Sequence, residues 1–150
     1  MYTQGGSILV VDDEAVIRDL LSEILQDEGF QVVAASDGNE ALNQLQHQND
    51  FLLLFSDIMM PGMDGIQLIR EARRVAPNLI PIVMTGYATL ESARAAVREG
   101  AYDYVLKPFS LSEIKLAIHN ALERYRLMND NARLRDLTEL FRISEEIASI

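Results

Sequence analysis

Hydrophobic residues along the chain are concentrated in five short runs, and between these runs they recur every three or four positions. The runs are Ser7 to Asp12, Phe30 to Ala35, Phe51 to Asp57, Pro81 to Thr85 and Asp103 to Lys107. Continuous apolar runs of this length are typical of strands buried on both faces of a parallel sheet. The pattern therefore predicts five such strands.

The segments between the runs have the spacing of amphipathic helices. In the first of them, Val16, Leu20 and Leu21 lie on one helical face before Gly29 interrupts the pattern. Ser110 is followed three residues later by Glu113, which is the pattern of a helix capping box. Five helices are predicted: Ala15 to Glu28, Glu40 to Gln48 with Asp37 as its cap, one near Ile66 to Ala72, Leu90 to Arg98, and one after Ser110.

Strands that alternate with helices predict an α/β fold with right-handed connections. For five strands we expect a doubly wound parallel sheet of the flavodoxin-like type, with the strand order 2-1-3-4-5. In such a sheet the ligand binds where the order reverses, between strands one and three. Asp12, Asp13 and Asp57 follow or end these two strands.

Composition restricts the classes of function. The chain has 150 residues, 49% of them hydrophobic, and a net charge of −10. The length and the hydrophobic fraction favour a packed domain, and the negative net charge argues against a nucleic-acid surface on this segment. There is no cysteine and there are only two histidines, which disfavours disulfide and histidine-rich metal sites. Without a signal peptide pattern or a long apolar run, we expect a cytoplasmic protein with no membrane contact.

The three aspartates are candidate ligands of a cation. Asp12 and Asp13 are adjacent and would repel each other unless a cation lies between them, and Mg²⁺ prefers such oxygen ligands. Alone, the pair could equally favour the start of the following helix. Asp57 directly follows a very apolar run, where an unpaired charge is costly, so the three acids together favour a metal site.

Thr85 and Lys107 end the fourth and fifth predicted strands. The threonine hydroxyl could bond a phosphoryl oxygen, and the lysine could pair with a carboxylate or a phosphoryl group. Taken singly, Thr85 also fits as an ordinary strand residue and Lys107 as an ordinary surface lysine. Their common position at the strand ends favours a role in phosphoryl transfer.

Four blocks of sequence resemble the receiver (response-regulator) domain of bacterial two-component signalling. They are Ile8 to Glu14, Ser56 to Gly65, Met84 to Ala88 and Ala101 to Phe109. Their order and spacing match the family, and the resemblance covers residues 5–125.

The resemblance implies a role for each site residue. Asp57 would be the phosphoacceptor and take its phosphoryl group from a histidine kinase or a phosphotransfer protein. Asp13, Asp57 and the backbone carbonyl of Met59 would bind Mg²⁺ directly, and Asp12 would act mostly through water. Lys107 would hold Asp57 and later the phosphoryl oxygens. Thr85 and Tyr104 would form the conformational switch.

The chain beyond Ser110 contains no glycine or proline, so the last helix need not end with the domain. We expect residues 1–125 to form the receiver and residues 126–150 a helical extension toward an output domain of a longer protein. Apolar spacings of three and four in the extension favour a two-chain coiled coil and hence a homodimer. A partly helical linker is the alternative.

Two other functions stay open from the residues alone. A Mg²⁺-dependent phosphohydrolase could use Asp57 as its nucleophile, but such enzymes usually place two aspartates in an Asp-x-Asp pair on one strand. A purely structural dimerisation module would not need the five polar residues. We therefore expect a signalling switch, not a turnover enzyme.

Overall fold

A computed structural model describes residues 6–86 and 90–127 of the chain. Its parallel sheet has the order β2-β1-β3-β4-β5. The strands are β1 (Ser7–Val11), β2 (Gln31–Ala35), β3 (Phe51–Asp57), β4 (Ile80–Thr85) and β5 (Asp103–Leu106). The helices are α1 (Ala15–Asp27), α2 (Gly38–His47), α3 (Gly65–Val75) and α4 (Leu90–Arg98), followed by α5, which covers residues 111–127.

The predicted α/β fold and strand order are confirmed, and the differences lie at the ends of elements. Helix α2 begins at Gly38, two residues before the predicted start at Glu40. Asp37 is nevertheless its cap, because its side chain accepts the N–H of Glu40. Asp12 and Lys107 lie just beyond β1 and β5, so both belong to the loops at the carboxyl edge of the sheet.

Alternate strand residues contribute to two hydrophobic layers, one on each face of the sheet. On one face, strand residues such as Val10 and Phe55 pack with α1 and α5, whose buried residues include Leu21 and Ile114. On the other face, strand residues such as Leu9 pack with α2, α3 and α4. Burial on both faces explains why the central strands β1, β3 and β4 are largely apolar rather than alternating, whereas the edge strands β2 and β5 are partly exposed.

The start of α3 is held tightly against the end of β3. The N–H of Gly65 donates to the carbonyl of Ile58 at 2.9 Å, and the Asp64 side chain caps the helix by accepting the N–H of Gln67 at 2.8 Å. A Cβ at Gly65 would lie only 2.2 Å from the carbonyl oxygen of Asp57. Glycine is therefore required where the helix backbone passes the end of this strand.

The predicted coiled coil lies almost entirely outside the described residues, because α5 can be followed only to residue 127. Among the described residues, no helix is both long enough and apolar enough to cross a membrane.

Replacing Gly65 by alanine should destabilise the protein by about 1–3 kcal/mol, since the new methyl group would have to displace α3 from the strand end. Urea unfolding of both proteins would measure this. Gly86→Ala is the matched control, because the nearest described atom to its Cβ, outside its chain neighbours, is 4.0 Å away on Lys107. Equal stability of Gly65→Ala and the unsubstituted protein would contradict the close approach.

Candidate functional site: an acidic cluster at the carboxyl edge of the sheet

Three carboxylates meet at the edge of the sheet where β1 and β3 end. One oxygen of each of Asp12, Asp13 and Asp57 lies within 4.8 Å of the others. Asp12 and Asp57 are buried, whereas Asp13 is exposed. Because β1 and β3 are neighbours in the sheet, residues that are distant in sequence form one cluster. The predicted convergence of these three side chains is thus what the structure shows.

The ammonium group of Lys107 lies between the two buried carboxylates. Its Nζ donates to Asp12 Oδ2 at 2.6 Å and to Asp57 Oδ2 at 3.1 Å. The Lys107 side chain is only 14% exposed, and the backbone N–H of Lys107 donates to the carbonyl of Thr85 at 2.8 Å. The peptide bond between Lys107 and Pro108 is cis. The resemblance implied a contact with Asp57, and the structure adds a shorter one with Asp12.

The ionisation of Asp57 is set by opposing influences. Burial raises the pKa of Asp57, and the negative charge of Asp12 raises it further. The hydrogen bond and positive charge of Lys107, together with the N–H of Met59 at 3.2 Å from Oδ1, act in the opposite direction, but the net effect is a raised pKa. For Lys107, burial lowers the pKa, yet the bonds to the two carboxylates outweigh burial and the pKa is raised. The lysine is therefore firmly protonated at neutral pH.

Asp12 is fully buried and all of its polar atoms have partners. Its Oδ1 accepts the N–H of Glu14 at 2.9 Å, and its backbone N–H donates to the carbonyl of Ala35 at 3.2 Å. Its backbone carbonyl accepts a bond of 2.7 Å from Arg18 Nη1. Arg18 was not among the residues expected at the site. A signal was available, since a basic residue near the N-terminus of a helix opposes the helix dipole and so suggests another role.

Thr85 and Tyr104 lie on the same face of the sheet. Tyr104 is paired with Val83, and Thr85 is paired with Leu106. Because side chains alternate along a strand, Val83, Thr85 and Tyr104 share one face, and Tyr104 is a diagonal neighbour of Thr85. Thr85 is buried, whereas Tyr104 is 48% exposed. The two residues predicted to form a switch are therefore adjacent and differ in their exposure.

The donor set suits a hard divalent cation. Carboxylate oxygens are the ligands that Mg²⁺ prefers, and an exposed member such as Asp13 leaves room for the waters that this ion retains. Met59 lies two residues beyond Asp57 in the loop after β3, with its side chain 72% exposed. Its N–H already faces Asp57 Oδ1, so this loop adjoins the acidic cluster.

Comparison with known proteins agrees with the geometry of the site. Residues 8–119 match the family model described as the response regulator receiver domain. The chain belongs to this family. The matched residues include the three aspartates, Thr85 and Lys107.

Similar proteins include two transcriptional regulators. The chain is 37% identical over 123 residues to the DNA-binding transcriptional regulator NtrC of Salmonella typhimurium, covering 82% of this chain and 26% of the regulator. It is 41% identical over 121 residues to the regulatory protein AtoC of Escherichia coli, covering 81% of this chain and 26% of AtoC. The chain thus spans about a quarter of the length of these relatives.

A solved structure has the same fold along nearly its whole length. The response regulator receiver domain protein from Clostridium thermocellum superposes with a TM-score of 0.77 at 32% sequence identity, covering 82% of this chain and 98% of that one. The doubly wound sheet is therefore the receiver fold.

Replacing Lys107 by methionine should raise the pKa of Asp57 further. The hydrogen bond and positive charge that lower this pKa would be lost, while burial and the charge of Asp12 would still raise it. The variant should be less stable than the unsubstituted protein at about pH 7.5 and recover toward about pH 5. Native Asp57 would bind its proton more tightly than Asp57 in the unfolded chain does. The free energy of unfolding should therefore fall as the pH rises from 3.8, the ordinary pKa of an aspartate, through the raised pKa of Asp57.

Carboxyl ¹³C NMR titration would measure the pKa of Asp57, and urea unfolding in metal-free buffer would measure stability. Lys115→Met is the matched control, since its ammonium pairs with Glu28 at 3.3 Å and its side chain is 50% exposed. A Lys107→Met protein whose loss of stability does not depend on pH would contradict the electrostatic account.

Proposed function

We propose that this chain is a phosphorylation-dependent signalling module in which Asp57 accepts a phosphoryl group from a histidine kinase or a phosphotransfer protein. The observation that carries the proposal is the place of the Asp57 carboxylate. It ends β3, lies within the acidic cluster, and bonds Lys107 at 3.1 Å. The phosphorylated module would control an output domain of a longer protein.

The transfer itself needs an ionised aspartate. A carboxylate oxygen of Asp57 forms a bond to phosphorus while the nitrogen–phosphorus bond of the phosphohistidine breaks, and the electron pair stays with the imidazole nitrogen. Lys107 opposes the increase in pKa that burial imposes on Asp57, and so favours the nucleophilic form. After transfer, its ammonium can bond the new phosphoryl oxygens, since it already lies between the carboxylates.

Mg²⁺ is the proposed cofactor of this site. Asp13, Asp57 and the backbone carbonyl of Met59 would hold the ion directly, and Asp12 would do so through water. When bound, Mg²⁺ neutralises negative charge on the transferring phosphoryl group. The separation of at most 4.8 Å between the three carboxylate oxygens supports the assignment.

Thr85 and Tyr104 are proposed to report the phosphorylation. The Thr85 hydroxyl would turn toward the phosphoryl group, and Tyr104 would move inward on the same face of the sheet. Their diagonal placement and the 48% exposure of Tyr104 support this, because an exposed ring has room to become buried. Such a rearrangement is a two-state element biased by a local change of charge.

The chain is proposed to catalyse only its own phosphorylation and dephosphorylation. The arrangement of the acids supports this over a phosphohydrolase, because they lie at the carboxyl ends of two strands, β1 and β3, and not in an Asp-x-Asp pair on one strand. The division at residue 125 and the homodimer through residues 126–150 also remain proposals, supported by the sequence pattern.

Incubation with acetyl phosphate and Mg²⁺ should add one phosphoryl group to the protein, detected by intact-mass spectrometry. Asp57→Asn and a sample without Mg²⁺ should both lack the adduct. Asp50→Asn is the matched control that should keep it, because Asp50 precedes β3 and so lies at the opposite end of that strand. An adduct that persists in Asp57→Asn would refute the assignment of the acceptor.

The same samples would test the switch and the dimer. Phosphorylation should reduce the solvent exposure of Tyr104, followed by tyrosine NMR, and Thr85→Ala should accept the phosphoryl group without this change. An unchanged Tyr104 signal would count against the switch.

Light scattering at tens of micromolar should give the mass of a dimer. The mass of a monomer would count against the coiled coil.

A further inference from the structure

Arg18 makes a contact with the acidic site through the backbone rather than through a carboxylate. Its Nη1 donates to the carbonyl oxygen of Asp12 at 2.7 Å. This carbonyl lies one residue past the end of β1. Arg18 is half-buried, so its guanidinium lies over the loop between β1 and α1 and is not extended freely into solvent.

The stability of α1 does not explain this arginine. Arg18 is the fourth residue of the helix, where a positive charge opposes the helix dipole. The first turn contains no acidic residue, and the side chain of Glu14 makes no capping hydrogen bond. A basic residue at this position therefore costs the helix some stability, and the compensating contact is the one with Asp12.

The carbonyl of Asp12 and the N–H of Asp13 belong to one rigid peptide plane. Holding the carbonyl therefore fixes the positions of the N and Cα atoms of Asp13, from which its side chain leaves the backbone. Among the described residues, none forms a side-chain hydrogen bond with the exposed Asp13 carboxylate, so its direction depends on the backbone. The Asp12 side chain also holds this loop, because its Oδ1 accepts the N–H of Glu14 at 2.9 Å.

We propose that Arg18 is a positioning residue for the cation site, because it fixes the peptide between Asp12 and Asp13 and so directs both carboxylates toward one ion. The inference rests on the proposed Mg²⁺ site. Coulomb's law alone says that removing a positive charge beside an acidic site strengthens cation binding. Loss of the positioning contact weakens it.

Calorimetric titration of the full chain with MgCl₂ distinguishes the two signs. Arg18→Met should raise the Kd for Mg²⁺ about 10-fold, as is typical when a residue that orients metal ligands is removed. Arg18→Lys should restore part of the affinity, since an ammonium group can donate one hydrogen bond to the same carbonyl. Arg74→Met is the control for charge removal, because Arg74 lies in the last turn of α3 with its side chain 72% exposed.

Two further readouts separate positioning from a general loss of structure. In autophosphorylation with acetyl phosphate, Arg18→Met should raise the half-saturating Mg²⁺ concentration by a similar factor and leave the rate at saturating Mg²⁺ nearly unchanged. In metal-free protein, the amide hydrogen of Glu14 should exchange faster, because its acceptor Asp12 is less well held. Thermal unfolding would show that both Arg18 variants are folded.

Mg²⁺ binding by Arg18→Met that equals or exceeds that of the unsubstituted protein would overturn the inference while leaving the proposed function intact. An unsubstituted protein that does not bind Mg²⁺ would overturn both. If Arg18→Met does not fold, Arg18→Ala carries the test, because alanine has no side-chain donor and is the best helix former. A Mg²⁺ affinity and a Glu14 exchange rate in Arg18→Ala equal to those of the unsubstituted protein would overturn the inference.

Discussion

Repulsion between carboxylates at the edge of an apolar core is the interaction on which this structure depends. Asp12 and Asp57 are buried beside each other where β1 and β3 end, and Asp13 adds a third negative charge. Burying such charges without partners is costly. Lys107 offsets the repulsion by donating to both buried carboxylates from the loop after β5. Three segments of the chain are thereby tied together at one point.

The backbone around the cluster is arranged to keep this point fixed. The N–H of Ile58 donates to the carbonyl of Met84 at 3.0 Å, and the N–H of Lys107 donates to the carbonyl of Thr85 at 2.8 Å. The loops after β3 and β5 are thus both bonded to β4. Gly65 lets α3 begin against the carbonyl of Asp57, so Asp57 lies between the end of a strand and the start of a helix. A displacement of Asp57 would therefore disturb packed neighbouring segments, because α3 and β4 contact the chain on either side of it.

Much of the fold followed from local patterns. Strands buried on both faces must be apolar throughout, so their runs could be read directly, and the alternation with helices restricted the topology to very few arrangements. The start of α2 was misplaced by two residues because Gly38 is a poor helix former in isolation. In the structure the side chain of Asp37 caps the helix and stabilises that first turn.

The sequence predicts the fold class and the identity of the acidic residues, because hydrophobic periodicity and residue type are local properties, and the alternation of strands with helices makes 2-1-3-4-5 the expected strand order. It did not determine that Lys107 would bond Asp12 more closely than Asp57, or that Arg18 would hold the carbonyl of Asp12. These contacts join residues through space, and their geometry depends on how strands and helices pack around the site. They follow from the tertiary structure, since the partner of a side chain at the edge of the sheet is set by distance and direction rather than by local sequence.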